Sequence, residues 1–132
     1  MKVFLDTNVL VSGFATRGLC ADVVREVLAS HQLIISSQLL SELSRVLQRK
    51  IGLTTGFVAE IVDMLKQDAH MSNPSHLPAV ALLDTSDLPI LSAAVNAKAD
   101  LLVTGDKELL ALGSVESLEI VSPRGFWKRL RA

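Results

Sequence analysis

Four short apolar runs are spread through the chain: Lys2–Leu5 (KVFL), Leu33–Ile35 (LII), Leu101–Val103 (LLV) and Leu118–Val121 (LEIV). Runs this short, and apolar at nearly every position, read as strands covered on both faces, the condition of a parallel sheet. The stretches between them have a helical period. Val23, Val24, Val27 and Leu28 share one face between Ala21 and Ser30, and Leu39, Leu40, Leu43, Val46 and Leu47 share another behind the N-cap residues Ser36 and Ser37. Thr54 or Thr55 opens a further helix, with Phe57, Val58, Ile61, Met64 and Leu65 expected on its inner face. Asp84 to Asp87 is a run of capping residues before Ile90, Leu91, Ala94 and Val95, and Pro89 falls in the first turn, where proline is tolerated. Pro123 starts a last helix through Phe126, Trp127 and Leu130. Strands alternating with helices specify an α/β fold with a mostly parallel central sheet. Asp6-Thr7-Asn8 reads as a turn after the first strand. Asn73–Pro78, with two prolines, reads as a loop, and Ala79–Leu83 fits strand and helix equally.

In sheets of this kind ligands bind beyond the carboxyl ends of the strands, where the strand order reverses. Asp6 and Asp106 each stand just past such an end, in FLDTN and LLVTGDKELL. Glu42 and Asp87 sit on or at the start of helical segments. Carboxylates gathered at one sheet edge repel one another and raise each other's pKa, and a hard cation relieves that repulsion. Magnesium or manganese held in this way can activate water against a phosphodiester without help from histidine. His31, His70 and His76 have no ligand-like spacing.

Each acid also has a plainer role. Asp6 can accept backbone N–H groups in an Asx turn, Glu42 can be a solvated helix residue, and Asp87 and Asp106 can be helix N-caps. Asp84 reads as a turn residue. Asn8 and Thr104 are suited to holding a carboxylate or an ordered water, or to stabilising their turns. Arg45, Arg49 and Lys50 cluster at the end of the Glu42 helix, as a phosphate-contacting rim or as cations favoured by a helix C-terminus. Phe126 and Trp127 read as core rather than as a base-stacking platform.

At 132 residues the chain is expected to be a single domain spanning 1–132, long enough to bury about two-thirds of its unfolded surface. With 49% hydrophobic and 20% charged residues it has the composition of a core-rich globular protein, not a disordered one. A net charge of −1 removes the simplest argument for nucleic-acid binding without opposing it, since a cation at an acidic site offsets the acids. Cys20 is alone, which excludes an internal disulfide and fits a reducing, cytoplasmic setting. No apolar run reaches the roughly 18–20 residues of a membrane span, and the chain enters its first strand with no apolar leader.

Taken in order, FLDTNVLVSG, SELSRVL, DTSDLPILSAAVNAKADLLVTGDKELL and EIVSPRGFWKRL resemble the successive motifs of a PIN domain, over nearly the whole chain. The likeness is to the bacterial and archaeal members that are toxins of toxin–antitoxin pairs. It implies a three-layer α/β/α sandwich with a parallel sheet of about five strands, one of them near Ala69–Met71. It further implies Mg2+- or Mn2+-dependent ribonuclease activity, with Asp6, Glu42, Asp87 and Asp106 as catalytic acids and metal ligands and with RNA as substrate. An antitoxin partner and a homodimer are implied as well. Thr85-Ser86 departs from the more acidic, proline-containing turn common in the family, which weakens Asp84 as a ligand but not Asp87.

Two other functions compete. A non-catalytic RNA- or protein-binding module would keep the fold but need not retain all four acids. A phosphoryl-transfer enzyme with Asp6 as nucleophile would want a second acid two residues on, where Asn8 stands.

Overall fold

The computed structural model describes residues 1–73 and 87–131. Asp84, His76 and the Ala79–Leu83 run lie outside the described residues, as does most of the loop expected at Asn73–Pro78. The strands are β1 (Lys2–Leu5), β2 (Gln32–Ile35), β3 (His70–Met71), β4 (Leu101–Val103), β5 (Ser114–Val115) and β6 (Leu118–Val121). They form one sheet in the order β3-β2-β1-β4-β6-β5. Pairing is parallel from β3 through β6, with Phe4 opposite both Ile34 and Leu102 and with Leu102 opposite Ile120. These five are the parallel strands expected, including the one near Ala69–Met71.

The sixth strand is an addition. β5 is two residues long and pairs antiparallel with β6 through a tight turn in which Glu116 has a φ of 53°. Two residues are too few to show a period of two, so the pattern of the sequence carries no sign of it.

Successive residues of a strand point to opposite faces of the sheet. Val3, Phe4 and Leu5 are all fully buried, and so, within 2%, are Leu101, Leu102 and Val103. Both faces are therefore covered, and the architecture is three layers. The covering helices are α1 (Thr7–Ala15), α2 (Leu19–Ser30), α3 (Ser37–Val46), α4 (Thr55–Asp68), α5 (Leu88–Asn96), α6 (Lys107–Leu112) and α7 (Pro123–Leu130). A π-helical turn over Leu47–Ile51 continues α3. Ser36, Thr54 and Ser122 cap their helices through side-chain oxygens, as their residue types favour. Among the described residues no helix is long and apolar enough to cross a membrane.

Two sequence expectations are corrected. Helix α1 begins directly at Thr7, where the sequence had suggested only a turn. Its residues TNVLVSGFA include β-branched side chains and a glycine, all weak helix formers. Burial of Val9 and Leu10 overrides that weak preference. Phe57, expected on the inner face of α4, is 50% exposed; the buried stripe is Val58, Ile61 and Leu65. Phe57 stands in the first turn, one residue round the helix from Val58, on the flank of that stripe. Phe126 is fully buried and Trp127 half-buried, so the aromatic pair is mainly core.

Helix α1 packs on α2 and α3, and Gly13 sets how near α2 can come. A Cβ at Gly13 would lie 2.5 Å from Val24 Cγ2 and 3.2 Å from the Cys20 carbonyl oxygen. We therefore expect Gly13→Ala to lose about 1–3 kcal/mol by overpacking, despite alanine's roughly 1 kcal/mol advantage within a helix. Val24→Ala in the same chain should recover part of that loss. A double-mutant cycle by urea unfolding measures the coupling; strictly additive effects would show that the two helices do not meet at this contact.

Candidate active site

The chain runs outward from β1 to β2 and β3, then returns to β4 on the other side of β1. The order therefore reverses between β1 and β4, and a crevice opens beyond their carboxyl ends. Asp6 lies on one side of it and Thr104 on the other. The Asp6 backbone N–H donates to the Val103 carbonyl at 2.9 Å, extending the β1–β4 ladder by one bond into the crevice. The Asp6 carbonyl then accepts from Val9 and Leu10, starting α1.

The Asp6 carboxylate is held from three directions. Oδ1 accepts from the Thr7 backbone N–H at 2.8 Å. Oδ2 accepts the Thr104 hydroxyl at 2.6 Å and the Asn8 amide at 3.4 Å. Thr104 Oγ1 in turn accepts the Asp106 backbone N–H at 3.0 Å, so one hydroxyl links the two acids. Asn8 Oδ1 accepts the Gly105 N–H at 3.4 Å, a second tie across the crevice. Asn8 and Thr104 each support a turn as well as the Asp6 carboxylate.

Burial dominates the titration of Asp6. The residue is 8% exposed, and desolvation pushes its pKa above the ordinary carboxylate value. The hydrogen bonds from Thr104 and Thr7 oppose the shift, and the nearby charge of Asp106 adds to it. Among the described residues no ion pair reaches Asp6. Thr7 Oγ1, also buried here, has no hydrogen-bond partner.

Asp106 is the N-cap of α6, but both capping bonds, from Glu108 N at 2.8 Å and Leu109 N at 3.3 Å, end on Oδ1. Oδ2 stays outside the cap. Asp87 occupies the N-cap position of α5 in an αR backbone conformation, and its side chain makes no capping bond there. The cap role that its sequence position suggested is not the one it has. Glu42 is half-buried on α3 rather than solvated. Asp6, Glu42, Asp87 and Asp106 line one cleft of about 390 Å³, together with Asn8 and Lys50.

Among the described residues no three acidic, histidine or cysteine side chains already stand as a closed metal-holding cluster. The donor set is nevertheless one a hard cation accepts: carboxylate oxygens, an unpartnered buried hydroxyl, and room for water and a substrate phosphate. A larger hollow of about 570 Å³ lies at the opposite end of the sheet, around Lys2, His31 and Asp100. There the strands present their amino ends and Asp100 is engaged by the Lys2 backbone N–H at 2.8 Å, so size does not identify the site.

Thr7 and Ser12 also line the cleft, and no motif in the sequence gives either a role. Asn8 and Ser12 are four residues apart and share a face of α1. With Thr7–Ala15 read as helix, that spacing would have revealed Ser12.

A family model described as PIN domain matches residues 2–108, an interval that contains all four acids. No curated protein matches the sequence. Among solved structures, the fold is similar to that of VapBC2 from Rickettsia felis, a complex bound to a DNA fragment from its promoter. That match has a TM-score of 0.62 at 15% identity, covering 92% of this chain and 98% of the other. It is also similar to VapC20 of Mycobacterium tuberculosis, described as a Sarcin-Ricin loop cleaving toxin. Here the TM-score is 0.58 at 15% identity, over 89% of this chain and 98% of that one. At such identity the likeness is one of fold.

The buried, unpaired charge on Asp6 has a consequence for stability. Below about pH 4 the carboxyl is protonated in both folded and unfolded chains and costs nothing. As pH rises through the raised folded pKa, the unfolded chain ionises first and the metal-free fold loses stability. Asp6→Asn lacks that titration. In EDTA the variant should melt above wild type at pH 7, by roughly 2–8 °C for about 1 kcal/mol, and the gap should narrow towards pH 4. A variant that melts below wild type at both pH values would contradict this electrostatic reading.

Proposed function

The chain belongs to the PIN domain family, and from that premise we propose that it is a metal-dependent endoribonuclease, the toxin of a toxin–antitoxin pair. The observation that carries the proposal is the convergence of Asp6, Glu42, Asp87 and Asp106, delivered by separate elements, on one cleft at the carboxyl edge of the sheet.

Asp6 and Asp106 would hold a Mg2+ or Mn2+ ion, with Asp87 completing the acidic set. When bound there, such an ion would supply Lewis-acid polarisation of the phosphodiester, a lower pKa for the attacking water and charge compensation at the leaving oxygen. Thr104 positions Asp6 and the start of α6 at once, so the two acids keep their spacing when the site is empty. Asn8 holds the Gly105 turn against α1. Glu42 faces the cleft from α3, orients the attacking water and accepts its proton.

RNA as substrate is supported by the Sarcin-Ricin loop cleaving toxin among the fold's neighbours, and a separate antitoxin chain by the VapBC2 complex. Ile51 and Phe57, 42% and 50% exposed on neighbouring elements, offer apolar anchors to an antitoxin or to a second copy in a homodimer. The lone Cys20 fits a cytoplasmic setting.

The test is cleavage of a single-stranded oligoribonucleotide by purified protein. EDTA should abolish cutting and added Mn2+ or Mg2+ restore it. Asp106→Asn should lower kcat by at least about 100-fold, since even indirect partners of a metal cost 10–100-fold, while its circular dichroism stays that of wild type. Undiminished cleavage by Asp106→Asn, with contaminating nuclease excluded, would defeat the mechanism.

A further inference from the structure

We infer that Lys50 is a substrate-contacting residue: a π-helical turn carries its ammonium into the acidic cleft, where it binds a backbone phosphate of the RNA. The inference rests on the ribonuclease reading above and adds a residue to it. In a regular α-helix Lys50, eight residues beyond Glu42, would stand about 80° around the axis from it, and Arg49 would lie within about 20°. The chain does not continue as an α-helix. From Leu47 to Ile51 it widens into a π turn, closed by the Gly52 backbone N–H donating to the Leu47 carbonyl. A π turn holds roughly one residue more than an α turn, so Lys50 takes the angular place that Arg49 would have had.

The lining of the cleft agrees with this geometry. Glu42, Val46 and Lys50 all face it, and Arg45 and Arg49 do not. Of the three cations at this end of α3, only Lys50 therefore lines the cleft that the acids line. It is also the only cationic side chain lining the cleft among the described residues, and among them it makes no ion pair. It is exposed at the end of a long flexible stem. An ammonium that shares a cleft with four carboxylates and, among the described residues, pairs with none of them is poorly explained as a structural charge. It is well placed to attract the group that must approach them against their repulsion, an anionic phosphodiester. Lysine serves phosphate as a mobile point charge and does not need the planar fork of arginine.

The experiment compares wild type, Lys50→Ala and Lys50→Arg on one single-stranded oligoribonucleotide with Mn2+, at several salt concentrations. Thermal melting and Mn2+ titration calorimetry accompany the kinetics. Lys50→Ala should raise KM about 10-fold, with kcat changed less than about 3-fold, as expected for loss of uniform binding. Its log–log dependence of 1/KM on salt should be shallower by roughly 0.7, the value of one phosphate contact on a single strand. Lys50→Arg should stay near wild type, and melting temperature should not move. Unchanged KM and salt dependence in Lys50→Ala, with wild type cutting normally, would overturn this inference alone. So would a loss confined to melting temperature, which would make Lys50 a helix-terminus charge. Wild-type protein that binds Mn2+ yet cuts no RNA would overturn the ribonuclease reading and this inference together.

Discussion

The bond from the Asp6 backbone N–H to the Val103 carbonyl sits where two requirements of the structure meet. It is the last rung of the β1–β4 ladder, so it belongs to the sheet. It also fixes the first residue past β1 at the point where the strand order reverses, so it belongs to the crevice. From Asp6 the carbonyl starts α1, and the carboxylate reaches Thr104 and, through that hydroxyl, the start of α6. A single residue therefore ties β1, α1, β4 and α6. The relative placement of Asp6 and Asp106 therefore follows from sheet pairing and one shared hydroxyl, which holds two acids distant in sequence at constant spacing.

That placement has an electrostatic cost, and the structure confines it. Asp6 is buried with its pKa raised, Asp106 adds like charge, and Thr7 Oγ1 is buried without a partner. Elsewhere the interior is almost wholly apolar. Part of the cost is offset locally. Asp106 caps α6 through one oxygen only, and Asp6 accepts Thr7 N–H at the start of α1, so bonds at two helix termini oppose part of that cost. Capping and ligation are compatible uses of the same side chain, because a carboxylate has more lone pairs than a cap consumes.

The sequence disclosed the parallel sheet well, because strands buried on both faces must be apolar at every position, and Lys2–Leu5 and Leu101–Val103 nearly are. It pointed to Asp6 and Asp106, which line one cleft, for the same reason: each is the first acid after such a run. Glu42 and Asp87 could not be read this way. Their approach to the cleft depends on how α3 and α5 pack, which no local pattern encodes, and only the family likeness pointed to them. Helix α1 was hidden by weak propensity, and Ser12 was hidden with it. Phe57 was misjudged because its spacing matched the stripe of α4 while its place in the first turn left it on the flank.

The π turn at Leu47–Ile51 shows the same limit more sharply. LQRKI continues the composition of α3 with no proline, and the glycine that follows at Gly52, with its φ of 83°, reads equally well as the end of an ordinary helix. Nothing in those letters favours i→i+5 bonding over i→i+4. The packing at its two ends is what the letters omit: Leu47 is fully buried and Leu53 lies against the core, and the segment between them spans that interval. A wider turn satisfies both anchors and, as a by-product, rotates the following side chains by about one residue's angle. A helical wheel drawn for a regular α-helix would place Arg49 beside Glu42 and turn Lys50 away. Which side chain lines this wall of the cleft is thus linked to where two leucines are buried, and the cleft's chemistry here is coupled to the core beneath it.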